Sequence, residues 1–284
     1  MAVPQGDWDI VSSIGLTALG VTAGRAIATA SPEPLVRDPY AAEFVRAANP
    51  PRPLPTEPGD DALWLGIADY VQLRARFFDD LITGSDAPQV VLLAAGLDAR
   101  AFRLDLSGRD VYEVDQPRVL AFKHDVLARL GATPRCRRHP VGADLRENWP
   151  AALETAGFDP ARPSVWIAEG LLPYLPALAE ELLFDLVHAR CAAGSRIGAE
   201  HIPPGDLTEL SGTFQTSEAG KQMGLAADNV FSTEPRRDAA EWLTGQGWDV
   251  QVDRVADLAV RFGKRMPDVL AGQMAKTELI SADL

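Results

Sequence analysis

Residues 89–100 read QVVLLAAGLDAR. The run from Val90 to Leu93 is continuously apolar, as expected of a strand that is covered on both faces of a sheet. It is followed by a tight turn with a single glycine, Gly96, which has Ala94 and Ala99 on either side. The stretch therefore predicts a buried parallel strand whose chain turns sharply at its C-terminal end.

Short β-rich runs alternate with helical stretches from this strand to the end of the chain. Such alternation is typical of an α/β fold, and it predicts a doubly wound, mostly parallel, seven-stranded Rossmann-like sheet. The predicted strands cover 89–95, 110–115, 137–142, 164–168, 196–201, 249–254 and 278–282, and the predicted helices lie near 117–130, 147–156, 177–193 and 236–245.

The region before this sheet has a helical pattern. Prolines interrupt it at 31–34 and 49–55, and a long helix is predicted to begin at Gly59-Asp60-Asp61 and to end at Gly84. The segment 203–232 is too long for a plain loop, and its glycine and serine content suggests a partly helical lid over the strand ends. We expect a single domain with an N-terminal helical cap (1–86), a cofactor-binding core (87–284) and a lid (203–232).

The composition is that of an ordinary globular protein of 284 residues, 46% hydrophobic and 24% charged. A net charge of −13 repels phosphate backbones and anionic lipids, which argues against nucleic-acid or membrane-surface binding. Cys136 and Cys191 have no ligand-like spacing, so we expect neither a disulfide framework nor a metal site. The uncharged run Ile10–Gly24 is 15 residues long, too short to span a membrane. It follows Asp7 and Asp9 instead of a basic segment, so we expect a cytoplasmic protein.

One arginine falls in the middle of the apolar stripe of the predicted helix before Gly84. At about 100° per residue, Arg74 lies at the centre of the stripe and Arg76 points to the opposite face. A buried arginine is unusual, and it is either an ion-paired core residue or an anion-binding residue aimed into a site. In the second case its guanidinium should lack a full counter-charge in the ligand-free protein. The stripe consists of Leu63, Ile67, Tyr70, Val71, Phe77, Phe78 and Leu81.

Carboxylates follow three of the predicted strands at the edge where open α/β sheets bind ligands. Asp115 ends the second strand 19 residues after Gly96, a spacing that suits hydrogen bonds from ribose hydroxyls. Asp144 follows the third strand and Glu169 the fourth. Each signal alone has a plain alternative; Asp144, for example, could cap a helix that begins near Arg146. Together they predict a site for a nucleoside-containing cofactor.

The first turn favours one such cofactor over another. A dinucleotide site normally uses three glycines, so that the backbone can approach a pyrophosphate, but here Ala94 and Ala99 leave only Gly96. Many carboxylates and few phosphate-binding glycines suit a cationic nucleoside without phosphate, which is S-adenosylmethionine. An NAD-dependent oxidoreductase and a non-catalytic nucleoside-binding protein remain the alternatives.

Several motifs along almost the whole chain resemble those of the leucine carboxyl methyltransferase family, and most closely its bacterial branch of S-adenosylmethionine-dependent methyltransferases. They include Asp7-Trp8-Asp9, Asp38-Pro39-Tyr40, Arg74-x-Arg76-Phe77-Phe78-Asp79-Asp80, Gly96-Leu97-Asp98-Ala99-Arg100, Glu113-Val114-Asp115-Gln116-Pro117, Gly142-Ala143-Asp144-Leu145 and Ala168-Glu169-Gly170-Leu171-Leu172-x-Tyr174-Leu175.

The resemblance implies a role for each matching residue. Arg74 would bind the methionine carboxylate of the cofactor, and Glu169 would approach its methionine part. Asp115 would hold the ribose, and Asp144 and Leu145 would flank the adenine. The turn from Ala94 to Gly96 would pass under the cofactor. Ala94 departs from the family, which often has glycine there, and its methyl group must still clear the ligand.

The predicted reaction is O-methylation of a small molecule or a carboxylate. A carboxylate acceptor needs no general base, whereas a phenol or an alcohol does. His201, at the end of the fifth predicted strand, is the best-placed histidine for that base or for contact with the acceptor, although it could also be structural. Tyr174 could line the acceptor pocket or simply pack. The segment from Glu169 to Tyr174 lacks the motif of nucleobase amino-methyltransferases, which again argues against nucleic acid. The oligomeric state cannot be deduced.

Overall fold

The computed structural model describes residues 13–225, 230–264, 274 and 276–284. Its centre is one seven-stranded sheet in the order β3-β2-β1-β4-β5-β7-β6. All neighbouring pairs are parallel except those of β7, which runs antiparallel between β5 and β6. The strands are β1 (Gln89–Leu93), β2 (Asp110–Asp115), β3 (Arg137–Gly142), β4 (Ser164–Ala168), β5 (Arg196–His201), β6 (Asp249–Arg254) and β7 (Glu278–Asp283).

Helices cover both faces of this sheet, so the doubly wound α/β prediction is confirmed. One face packs against the N-terminal helices, and residues such as Val90, Leu92 and Ile167 lie in that core. The opposite face buries Val91, Leu93 and other side chains against three later helices. The helices are α1 (Ser13–Ala30), α2 (Ala41–Ala48), α3 (Ala62–Thr83), α4 (Arg100–Arg103), α5 (Pro117–Arg129), α6 (Trp149–Thr155), α7 (Ala177–His188), α8 (Pro204–Thr216), α9 (Glu218–Gln222), α10 (Ala239–Gly245) and α11 (Val255–Arg261).

The ends of α3 lie where the sequence predicts them. Asp61 is its N-cap, and the Asp61 carboxylate accepts hydrogen bonds from the amides of Leu63 and Trp64. Gly84 ends the helix by donating its amide to Asp80 at 2.8 Å. Arg74 is buried and Arg76 is half-exposed, as the helical stripe predicts.

The strand predictions are confirmed with two differences at the ends. β1 stops at Leu93 and not at Ala95, because Ala94 has a left-handed backbone with φ of 49° and cannot continue a strand. β7 extends one residue further, to Asp283. The predicted helix at 177–193 ends earlier, at His188, and those predicted near 147 and 236 begin later, at Trp149 and Ala239.

Segment 203–232 is partly helical, as expected, through α8 and α9. It packs on the N-terminal helices, because a Cβ on Gly20 of α1 would lie 2.5 Å from the Met223 side chain. The part of the predicted first helix before Ser13 and the stretch 226–229 lie outside the described residues. In the described part of the chain, no helix has the length and apolar character that a bilayer crossing requires.

Candidate functional site

The C-terminal ends of β1, β2, β4 and β5 lie side by side at one edge of the sheet. In the register of the sheet, Leu93 of β1 pairs with Val114 of β2, and Ala168 of β4 pairs with Ala199 of β5. Residues just beyond these positions therefore meet at the edge where α/β sheets bind ligands.

The turn after β1 is held by Asp115 at the end of β2. Gly96 has φ of 46° and donates its amide to Asp115 Oδ2 at 2.6 Å. The amide of Gln116 donates to Asp115 Oδ1, also at 2.6 Å. Burial raises the pKa of Asp115, and these two backbone hydrogen bonds work against that rise. Each carboxylate oxygen keeps a further lone pair, so Asp115 can still accept hydrogen bonds from hydroxyl groups of a ligand.

Ala94 carries the strain of this turn. Its φ of 49° belongs to the left-handed region, which glycine adopts at little cost and which costs other residues roughly 1–2 kcal/mol. The resemblance marks this position as one where glycine is common, and the backbone angle supplies the physical reason.

Arg74 is fully ion-paired. Its Nε donates to Glu169 Oε1 at 2.9 Å, and its Nη1 donates to Glu200 Oε1 and Oε2 at 2.9 and 2.8 Å. Burial opposes its charge, but Glu200 and Glu169 outweigh burial and raise the pKa of Arg74 above its usual range. The expectation of an under-compensated cation is therefore wrong, because two buried carboxylates already face the guanidinium.

A second buried arginine, Arg100, extends the ion pairs across the site. It donates to Asp79 Oδ1 and to Glu169 Oε2, each at 2.7 Å, and it also pairs with Asp98 two residues earlier. Arg103 bonds the same Asp79 at 2.6 Å. We call these side chains the strand-end ion network; its members are Arg74, Arg100, Arg103, Asp79, Asp98, Glu169 and Glu200.

The network lowers the pKa values of two of its acids, Asp98 and Glu169. Burial opposes ionisation of Asp98, but Arg100, Lys123 and Arg103 lower its pKa to about 2. Burial likewise opposes the charge of Glu169, and Arg100 together with Arg74 lowers the pKa of that carboxyl. Both acids are thus held in their charged form.

Asp144 and Leu145 lie at the end of β3. Asp144 accepts the amide of Arg146 at 2.9 Å and pairs with the Arg146 side chain, which together with Gln116 lowers the pKa of Asp144 to about 2. The alternative role of Asp144 as a helix cap does not apply, because α6 begins only at Trp149 and its N-cap is Asn148. Gln116 contacts both Asp144 and Asp115, and so it joins the ends of β2 and β3.

Leu145 is half-buried against the core that contains Val91 and Leu93. It therefore offers an apolar surface directly beside Asp144.

Tyr174 lies near the network and His201 does not. Tyr174 hydrogen-bonds Thr17 and packs on Phe231, with ring centroids 5.3 Å apart. Burial raises the pKa of Tyr174, Glu200 raises it further, and Arg74 lowers it. His201 is buried on the opposite face, as the alternation after Ile197 and Ala199 requires.

The groups that act on His201 are Asp238 and Arg236, and burial lowers the pKa of the imidazole. The proposed acceptor contact of His201 therefore stays a prediction without support from its position.

Five residues of the network had no predicted role: Asp79, Asp98, Arg100, Arg103 and Glu200. Glu200 precedes His201 in β5, and strand alternation alone places it on the face of Arg74. Asp98 and Arg100 belong to the motif after Gly96, but the pairing of Arg100 with Asp79 of α3 depends on tertiary contact. Among the described residues, no group of His, Cys, Asp and Glu side chains has an arrangement that could hold a metal ion.

Comparison with known proteins gives concordant matches. The model of the leucine carboxyl methyltransferase family matches residues 18–188. Two relatives carry the name "Putative S-adenosyl-L-methionine-dependent methyltransferase". The one from Saccharopolyspora erythraea is 43% identical over 280 residues, covering 97% of both chains. The one from Rhodococcus jostii is 43% identical over 273 residues, covering 92% of both.

A crystal structure of a "putative methyltransferase" from Thermobifida fusca YX matches with a TM-score of 0.53, at 16% identity, over 94% of this chain and 93% of its own. With the sheet order above, this likeness defines the class of the fold, a Rossmann-like methyltransferase fold. The sequence matches then give the family: the chain belongs to the leucine carboxyl methyltransferase family.

Proposed function

We propose that this protein transfers the methyl group of S-adenosylmethionine to an oxygen atom of a small molecule or of a carboxylate. Its family and its relatives identify it as an S-adenosylmethionine-dependent methyltransferase. The observation that carries the cofactor assignment at the level of residues is the charge of the strand-end ion network.

The network has one more carboxylate than it has arginines. Its four acids face three guanidinium groups, which leaves one formal negative charge. Adding Asp115 and the neighbouring buried group of Glu113, Lys123 and Arg138 leaves this excess unchanged. S-adenosylmethionine bears a sulfonium, an ammonium and one carboxylate, a net charge of +1, so it complements the site. A pyrophosphate would add negative charge, which counts against NAD.

The residues divide between the two ends of the cofactor. Arg74 would bind the methionine carboxylate and Glu169 would lie near the ammonium, while Asp115 would accept hydrogen bonds from the ribose. Asp144 and Leu145 would flank the adenine, and Ala94 and Gly96 would lie under the cofactor. The hydrogen bonds of Arg74 to Glu169 and Glu200 use Nε and Nη1, and we propose Nη2 as the donor to the carboxylate of the cofactor.

Bound S-adenosylmethionine supplies a methyl group that is already activated by the sulfonium. The protein then has to align the acceptor oxygen at about 3 Å and to exclude water. We propose that Tyr174 lines the acceptor side, because its ring lies near Glu200 and Arg74 and packs on Phe231. His201 remains the candidate base for a phenol or an alcohol, and a carboxylate acceptor would not need it.

The organisation of the chain fits this reaction. We propose that the N-terminal helical cap (1–86) and the lid (203–232) enclose the acceptor over a core that binds the cofactor (87–284). The contact between Gly20 and Met223 joins cap and lid into one cover, which supports this division. A cytoplasmic location stays a prediction from the short uncharged run Ile10–Gly24 and the acidic residues before it.

Thermal shift with three ligands tests the cofactor assignment. We expect S-adenosylmethionine and S-adenosylhomocysteine to raise the melting temperature and NAD to leave it unchanged. Stabilisation by NAD alone would contradict the proposal. Incubation with methyl-labelled S-adenosylmethionine and a metabolite extract then tests the acceptor. We expect a labelled methyl ester or ether, whereas label on nitrogen would contradict O-methylation.

A further inference from the structure

Glu200 is a buried carboxylate at the C-terminal end of β5, with its side chain 1% exposed. It accepts hydrogen bonds from groups on two other parts of the fold. The Tyr70 hydroxyl and Arg74 Nη1 reach it from α3, and the amide of Gly170 reaches it at 2.6 Å from the segment after β4. Glu200 therefore joins the N-terminal cap to two neighbouring strand ends.

Tyr70 and Arg74 lie one helical turn apart and meet the same carboxylate. The guanidinium carbon of Arg74 is 5.4 Å from the centroid of the Tyr70 ring, within range of a cation–π contact. Glu169 accepts a hydrogen bond from Nε of this guanidinium, and Glu200 accepts one from Nη1. A planar group that is held at two edges and over a ring keeps one orientation, and that orientation leaves Nη2 for a ligand.

Gly170 completes this arrangement through its backbone. Its φ of 64° lies in the left-handed region, and its amide points at Glu200. A Cβ at this position would meet Arg74 Nη1 and Nη2 at 3.7 and 3.8 Å, which is ordinary contact. The glycine is therefore explained by the backbone angle that delivers its amide, and not by lack of space.

We propose that Glu200, with the Tyr70 hydroxyl, is a positioning residue that orients the Arg74 guanidinium toward the methionine carboxylate of the cofactor. The inference rests on the proposed function and names a residue that acts through Arg74. A glutamine at this position offers one accepting oxygen and one NH₂ group. Arg74 Nη1 donates to both oxygens of Glu200, so in either orientation of the amide the NH₂ group would face this donor, and the guanidinium has to move.

The test uses two ligands that differ in the amino-acid part of the cofactor, which contains the carboxylate that Arg74 would bind. S-adenosylhomocysteine carries the amino-acid group, and 5′-methylthioadenosine lacks it. For Glu200→Gln we expect the calorimetric Kd of S-adenosylhomocysteine to rise at least about tenfold and that of 5′-methylthioadenosine to change less than about threefold. Tyr70→Phe keeps the ring and loses the hydroxyl, so it should change the first Kd in the same direction by about threefold.

Glu180→Gln is the matched control. Glu180 and Arg236 form another buried ion pair, with 4% and 3% exposure, on α7 and before α10. This variant should lower the melting temperature and leave both Kd values within about twofold.

Equal losses for the two ligands, no loss, or tighter S-adenosylhomocysteine binding by Glu200→Gln would overturn the inference. If Glu200→Gln does not fold, Tyr70→Phe decides by the same ligand comparison. Failure of the wild-type protein to bind S-adenosylhomocysteine would overturn the proposed function itself. Normal wild-type binding with an unselective Glu200→Gln would overturn the inference only.

Discussion

At the end of β2, Asp115 accepts the amides of Gly96 and Gln116 and so fixes the turn after β1. For Asp115→Ala we expect the Kd of S-adenosylmethionine to rise about 10- to 150-fold. The lost hydrogen bonds to a charged group are worth roughly 1.5–3 kcal/mol. Calorimetry on the folded variant measures this effect.

Asp105→Ala is the control, because Asp105 is exposed and bonds its near neighbour Ser107. An unchanged Kd in a folded Asp115→Ala variant would remove Asp115 from the ribose site.

Arg74 gives a second test at this scale. Arg74→Met keeps the apolar stem and removes the charge, so the Kd of S-adenosylmethionine should rise at least about tenfold. The free energy of unfolding should also fall by about 3–5 kcal/mol, because Glu169 and Glu200 lose their buried partner. Calorimetry and urea unfolding measure the two effects.

Arg76→Met serves as the control for Arg74→Met. Its pair with Asp80 is half-exposed, so the free energy of unfolding should change by less than about 1 kcal/mol. Arg74→Met with normal cofactor affinity and reduced stability would make Arg74 purely structural.

At the scale of elements, α3 carries both Tyr70 and Arg74, and its first turn depends on Asp61. Asp61→Ala removes the acceptor for two helix amides and should lower the free energy of unfolding by about 1 kcal/mol. Asp60→Ala next to it should not change stability measurably. Urea unfolding compares the two, and equal losses would show that the cap contributes nothing.

The strands were predictable because each is short, β-rich and bounded by polar or glycine turns. β2 to β6 have the predicted bounds, and α3 is marked by Asp61 and Gly84. The helix α4 was not predicted, since four residues carry too little periodicity to stand out, and α11 was not predicted either.

The site was only partly predictable for a different reason. Arg74 stood out because its charge interrupts an apolar stripe within one helix. Glu200 did not, because its partners Tyr70 and Gly170 lie 130 and 30 positions away. Glu200 stands beside His201 at the end of β5, and the local sequence does not show which face of the sheet its side chain lies on.

For the molecule as a whole, the paired carboxylates predict acid sensitivity. Asp98, Asp110 and Asp144 have pKa values lowered to about 2, so their contribution to stability is complete above about pH 4. It is lost as the pH falls toward 2. The raised pKa values of Asp115 and Glu180 act in the opposite direction.

We expect the first effect to prevail, and urea unfolding should give a midpoint that falls steadily from pH 4.5 to pH 2.5. A midpoint that stays constant over this range would contradict the contribution of these three carboxylates to stability.

The position of β1 between β2 and β4 has a consequence for how the site opens. Both edges of β1 are paired, its side chains are buried on both faces, and the Ala95 amide still bonds Val114 beyond its end. Local opening is rarest where backbone bonds are most enclosed. In deuterated water we therefore expect the amide hydrogens from Val91 to Ala95 to be among the last to exchange. The floor of the site would thus stay closed while the helices above it admit and release the ligand.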